Sequence, residues 1–254
     1  MAEHMMQNVK ILIGSYDMSG KSNSVTLNYT AEMLDRTCFG SSARKRLAGL
    51  IDFDFRLSGY WGSTNVDNAH FAAIGSSERV LSVTASSTDG QTAFLSRAVL
   101  SEYTPAGTIG DLFAYDVVAV GTPIGSSGPN SLHRGKILSA QGASTRKGST
   151  NSAAVNLGTA TTSQRLYATF HLFEDLTTNV SSGGIKGDIV ASCSSGFGVG
   201  ATTQITIARA TAITGLAYST KVASTSKGFY RFEGVTTSTA AGGYLNFCVC
   251  AAIR

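Results

Sequence analysis

Residues 51–58 alternate Ile51, Phe53, Phe55 and Leu57 with Asp52, Asp54, Arg56 and Ser58. A period of two belongs to the extended strand, so this segment puts four apolar groups on one face of a sheet and three charges on the other. One face is expected in a core and the other in water. The stretch 25–61 around it organises the chain. Before the alternating segment, Thr30 is placed to cap a short helix starting at Ala31, with Glu32 in its first turn and Gly40 just past its end.

The rest reads as further strand. VKILIGSY (9–16) is a first strand, followed by a turn from Asp17 to Asn23. The stretch Gly14 to Ser22 looks like a phosphate-binding loop, but five residues separate its glycines where that motif needs four, and a strand pattern follows where it needs a helix. Strands are expected at 70–74 and 79–85, and a large hairpin at 92–104 and 110–122, joined through Pro105 and Gly107. In the return strand Tyr115, Val117 and Ala119 share one face, and Asp116 is the one charge on the other.

The glycine- and proline-rich stretch 121–130 ends a first domain, with 132–138 as its closing strand. Residues 139–152 have no apolar period and read as a linker. Six more strand patterns follow at 153–158, 165–174, 186–195, 202–211, 229–237 and 244–253, with glycine turns at Ser182 to Gly184 and Ala241 to Gly243. This spacing is that of a sandwich or jelly roll. With 254 residues, 43% hydrophobic and 14% charged, and 28 glycines, the composition suits two domains of short strands joined by small-residue turns. The fold class is therefore all-β with one short helix, divided as 1–138, a linker at 139–152, and a β-sandwich domain at 153–254.

Nothing in the sequence points to chemistry. The four histidines are scattered, no nucleophile elbow is present, and the cysteines (38, 193, 248 and 250) lack the C-x-x-C spacing of a metal or redox site. No catalytic residue, cofactor or metal is expected. Asp52 and Asp54 stand about 7 Å apart on one strand face, which alternation explains without catalysis. Tyr60 and Trp61 read as a strand-end anchor rather than a sugar platform. The net charge of +4 is mild, and its one cluster, Arg44-Lys45-Arg46, is too short for a nucleic-acid tract and reads as a solvated or subunit-bridging loop. The start lacks a secretion signal and no run reaches the ~18 apolar residues of a membrane span. The glycosylation patterns at Asn28 and Asn179 are then chance matches, and the chain is expected to be made in a cytoplasm and to avoid membranes.

Thr37-Cys-Phe-Gly40, the basic run Arg44 to Arg46, Leu47-Ala-Gly49-Leu50, and Asp52 through Gly59-Tyr60-Trp61 occur in an order that resembles the tail tube (major tail) proteins of long-tailed bacteriophages. The strand Gly110 to Tyr115 and the closing hairpin extend the likeness over roughly residues 9–138. The resemblance implies a tail-tube-type β-sandwich or barrel in which copies of the chain pair their strands in a ring, usually hexameric, and rings stack into the hollow tube through which DNA leaves the capsid. It implies a virion protein without enzymatic activity, whose partners are itself, other tail proteins and double-stranded DNA in passage. The second half is similar to jelly-roll domains appended to phage virion proteins. In this frame Arg44, Lys45 and Arg46 are candidates for the ring or stacking interface. Asp52, Asp54 and Asp116 are candidates for the lumen, because an acidic lining repels a duplex that must slide. The alternatives are a capsid decoration or other virion β protein, and a carbohydrate-binding module in the second half using Tyr230 or Tyr244.

Overall fold

The computed structural model describes residues 8–40, 42–76, 78–124, 132–140, 148–161, 163–173, 185–198, 200–210, 214–221, 227–236 and 246–254. The turns at 182–184 and 241–243, most of 121–130, residues 141–147, Asn179 and Tyr244 lie outside them.

Most of the described residues lie in antiparallel strands. In order these are β1 (Lys10–Ile13), β2 (Tyr16–Asp17), β3 (Ser22–Asp35), β4 (Arg46–Tyr60), β5 (Arg79–Thr84), β6 (Thr92–Ala106), β7 (Ala114–Thr122) and β8 (Leu132–Ser139). There follow β9 (Gly148–Asn151), β10 (Val155–Asn156), β11 (Arg165–Phe173), β12 (Ile185–Ser192), β13 (Thr202–Ala210), β14 (Thr214–Lys221), β15 (Phe229–Thr236) and β16 (Asn246–Ile253). The described helical residues form one stretch of three short pieces, Ser63–Asp67, Asn68–His70 and Phe71–Ala73.

Two expectations are corrected here. The helix placed at Ala31 is strand: Ala31 pairs with Ile51, Met33 with Ala48 and Leu34 with Leu47, and this ladder overrides the helix propensity of the Ala-Glu-Met-Leu run. The strand placed at 70–74 is instead the helical stretch, which turns Val66, Ala69, His70 and Ala73 inward.

Two compact units result. One comprises Lys21–Glu78 and Arg97–Leu132, and the other Met1–Gly20, Arg79–Ser96 and His133–Arg254. Strand β6 therefore belongs to one unit up to Ser96 and to the other beyond it. This division does not follow the boundary expected at 138. The reason lies in β11, where every residue after Arg165 is buried, so both of its faces need cover.

In the larger unit one face of β11 and β16 packs on a second sheet of order β10-β15-β12-β13, with β9 beside β15. Phe170, Leu172, Phe247 and Val249 meet Ile189, Ile205, Tyr230 and Phe232 in this core, where Phe232 and Phe247 stand 5.4 Å apart. The unit is thus a β-sandwich. The other face of β11 carries Thr169 and His171, and β5 and the β1–β2 turn cover it. His171 Nδ1 lies 2.7 Å from the Gly14 carbonyl and Nε2 lies 2.8 Å from Ser82 Oγ, which is in turn 2.7 Å from Thr169 Oγ1. A carbonyl can only accept, so Nδ1 holds the proton, Nε2 accepts from the Ser82 hydroxyl, and Thr169 donates to Ser82. All three side chains are fully buried, and desolvation holds the His171 pKa down at about 4.

In the smaller unit β4 lies between β3 and β7, and β7 pairs with the second part of β6. Phe53, Phe55 and Leu57 of β4 and Tyr115, Val117 and Ala119 of β7 form the buried face, as their alternation requires. His70 stacks on Tyr115 at 5.8 Å, and Tyr103 donates to Asp67 at 3.2 Å. Burial, reinforced by that carboxylate, pushes the Tyr103 phenol up to about 12.

Candidate assembly surface

The β3–β4 pair is the longest hairpin of the smaller unit, registered from Ser22↔Gly59 to Asp35↔Arg46. Its base is tight: a Cβ on Gly59 would fall on the Lys21 carbonyl and 2.7 Å from Ser22 Cα, and Tyr60 donates its backbone N–H to that same carbonyl at 2.8 Å. Its tip is closed by Arg36 N–H to the Lys45 carbonyl (2.8 Å), Lys45 N–H to Thr37 Oγ1 (3.0 Å) and Thr37 N–H to Asp35 Oδ1 (2.8 Å). Hydrogen bonds from the Thr37 side chain and backbone hold the Asp35 carboxyl below its ordinary range.

The two halves of this hairpin differ. Near the base the apolar face of β4 is buried, whereas towards the tip Tyr29, Met33, Leu34, Leu47 and Ile51 are exposed, Leu50 is 82% exposed and Phe39 fully so. Pairing and register together explain the change: β7 flanks β4 only from Asp54 to Tyr60. Between Ala31↔Ile51 and Met33↔Ala48 the ladder shifts by one residue, and such a bulge puts the residues of β4 that precede it on the opposite face. Leu34↔Leu47 then falls on the face that is polar nearer the base, so large apolar groups stand on both faces of the distal arm. Among the described residues β3 pairs with β4 alone, leaving its other edge open.

Arg44 and Lys45 sit in the tip turn and Arg46 opens β4; all three are exposed, and among the described residues none makes an ion pair. The structure brings Asp52, Asp54 and Asp116 onto one sheet face. Asp54 lies opposite Asn28 and Val120, Arg56 opposite Thr26 and Val118, and Ser58 opposite Ser24 and Asp116. Glu102, opposite Val118, joins that face. It could not be read from the sequence because a register shift between Leu100 and Glu102 breaks the alternation of β6. Asp52, Asp54, Asp116 and Glu102 thus share this surface with two guanidiniums, Arg56 and Arg97, the latter opposite Thr122 and paired with Glu78. Asp52 accepts from the Phe53 N–H at 2.7 Å.

Other candidates resolve differently. Tyr230 is fully buried in the sandwich core and donates to the Lys227 carbonyl at 3.3 Å, so it offers no face to a sugar. Trp61 packs edge-on against Phe113 at 5.3 Å as a strand-end anchor. Cys38 and Cys193 are exposed, and Cys248 and Cys250 are buried free thiols with sulfurs 3.9 Å apart.

No family model matches the chain, and no curated protein matches it. Solved structures do. A protein from the tail of an empty gene transfer agent particle, refined with C6 symmetry, is 17% identical over 44% of this chain and 91% of its own, with a TM-score of 0.37. One from the sheath/tube terminator of an extracellular contractile injection system is 12% identical over 48% of this chain and 95% of its own, at 0.41. The Dit protein of phage SPP1, described as a hub of the adsorption apparatus, is 8% identical over 98% of this chain and all of its own, at 0.36.

Proposed function

We propose that this protein is a non-enzymatic structural subunit of a phage-type tail, which assembles with copies of itself into rings that stack around a channel for DNA. The observation that carries this reading is the β3–β4 arm. A two-stranded ribbon with apolar groups on both faces and an open edge is unfavourable in water and invites strand pairing with another chain. Head-to-tail contacts of this kind close into rings when the rotation permits. Six copies per ring, contact with other tail proteins, and residence in the virion after synthesis in a host cytoplasm follow from this reading.

Within it, Arg44, Lys45 and Arg46 at the arm tip contact the neighbouring or next-stacked copy. The face bearing Asp52, Asp54, Asp116 and Glu102 lines the channel. A duplex carries one negative charge per ~1.7 Å, so a basic wall would bind phosphates and hold the genome, whereas an acidic wall repels it and leaves it free to slide.

Electron microscopy of the purified chain tests assembly. Rings or tubes are expected, and their weakening in the Arg44→Ser, Lys45→Ser, Arg46→Ser variant at low salt, where charge contacts are strongest. A parent chain that stays monomeric at high concentration would refute the reading. Lys at positions 52 and 54 should leave assemblies of normal appearance but slow DNA ejection, more so at low salt. Ejection at the parent rate from particles containing the variant would take that face off the channel.

A further inference from the structure

Among the described residues every large apolar side chain that is exposed belongs to the smaller unit. Most stand towards one end or the other of β4, which at 15 residues spans roughly 45–50 Å. One group is the distal arm, with Phe39 at its tip. The other lies at the base, where Ala106 pairs with Ala114 and Ala114 with Tyr60, so the loop 107–113 joins β6 to β7 beside the end of β4. That loop carries Ile109, fully exposed, Leu112, 71% exposed, and Phe113, and Tyr60 stands exposed next to it.

The loop is held in one shape. Asp111 donates its N–H to the Thr108 carbonyl at 3.0 Å, and Gly110 has φ +97°, the arrangement of a four-residue turn with Ile109 at its crest. Trp61 donates its backbone N–H to the Phe113 carbonyl at 2.8 Å, and the Phe113 ring lies so close over Gly107 that a Cβ there would fall 2.7 Å from it. Phe39 holds the matching place at the arm tip, just before Gly40, whose φ is +85°. Two turns at opposite ends of one sheet thus each hold an apolar side chain wholly in water, which is unfavourable in a lone copy.

Charge decides which ends meet. Residues 32–50 carry four cations and two carboxylates, whereas Lys21 with residues 59–70 and 104–116 makes one cation and three carboxylates, among them Asp111 on the loop itself. Among the described residues Asp111 makes no ion pair. Tip against tip or base against base sets like charges together, which is repulsive, and tip against base pairs opposite ones. We propose that the 107–113 loop is the seat for the arm tip of a second copy, with Phe39 against Ile109 and Leu112, and Asp111 facing Arg44 and Lys45. This seat presupposes the assembly reading above and names the surface that receives the arm. A head-to-tail contact leaves a free tip and a free base on every pair, so it repeats along the strand direction, across the direction in which the open edge of β3 pairs. It is therefore the stacking contact, and edge pairing is the ring contact.

In a Cys193→Ser background Cys38, beside Phe39, is the exposed thiol among the described cysteines, and Ile109→Cys adds a second at the base. Treating assemblies of this variant with a short bismaleimide should link position 38 of one copy to position 109 of another, read by mass spectrometry of the linked peptides; a link within one copy is out of reach across the length of β4. Links of 38 to 38 or 109 to 109 alone, or assemblies with no 38–109 link, overturn the seat and leave assembly itself standing. Ile109→Asp with Leu112→Asp should raise the concentration needed for stacking about tenfold or more, the effect of denying burial to one large apolar side chain. Electron microscopy should still find single rings of that variant, and its urea midpoint should equal the parent's, since both side chains are exposed. Stacks of parent length from it refute the proposal. A parent chain that never assembles refutes both the seat and the reading beneath it.

Discussion

Replacing His171 by Gln should remove a specific acid sensitivity from the larger unit. In the folded chain the imidazole is neutral, its Nε2 committed to accepting from Ser82 and its ring wholly desolvated. Burial depresses its pKa from 6.5 to about 4. Between those values the unfolded chain binds a proton that the folded chain refuses, so lowering the pH favours unfolding. The stabilisation from the neutral imidazole is complete above the unfolded value and is lost as pH falls towards the folded one. Linkage over that gap amounts to about 2 kcal/mol at pH 5 and about 3 kcal/mol at pH 4. Urea unfolding followed by circular dichroism at pH 7.5, 6, 5 and 4, for parent and His171→Gln, isolates this contribution, because carboxylates and the other histidines are common to both proteins. The variant should be less stable at neutral pH by about 1–3 kcal/mol, the effect of disturbing a buried hydrogen-bonded pair, and the gap should close or reverse by pH 4. A constant offset across the pH range would show that His171 is not a buried neutral acceptor.

Gly59→Ala should destabilise the smaller unit by about 1–3 kcal/mol, the usual penalty of overpacking, since the new methyl meets the backbone of Lys21 and Ser22; an unchanged urea midpoint would contradict the tight base of the arm. Phe170→Ala should lower stability by about 3–5 kcal/mol through the cavity left between Phe232 and Phe247, read from the same unfolding curves. A thiol reagent applied to the native chain should label Cys38 and Cys193 and spare Cys248 and Cys250 until denaturant is added; mass spectrometry of labelled peptides decides this.

Alternation carried most of what could be read from the sequence. It located β4, the β6–β7 hairpin and six of the later strands, and it set Asp52, Asp54 and Asp116 apart from their apolar neighbours. The shared face of those acids needed the ladder register as well. What was not legible is where tertiary pairing outweighs local preference. The Ala31 to Leu34 run has helix formers but lies in a ladder, and His70 to Ile74 has strand formers but covers an aromatic cluster. Strand β14 escaped notice because Leu216 and Tyr218 are its only large apolar residues and are only partly buried. Glu102 and the apolar groups of the arm tip were obscured by register shifts, which change faces without leaving a mark in composition. The partition into units was hidden for a related reason: the second face of β11 is closed by residues from the start of the chain.

That closure has a consequence for synthesis. Gly14 and His171 lie 157 residues apart, and a ribosome adding about 5–20 residues per second needs roughly 8–30 seconds to span that interval. Throughout it Ile11, Leu12 and Ile13 have left the exit tunnel or soon will, while β11 does not yet exist. The nascent chain must therefore carry its first apolar strand uncovered while the whole smaller unit is made. Chaperone dependence and aggregation on slow codons should concentrate before residue 171, and a fragment ending near residue 140 would expose β1 and β5 for good.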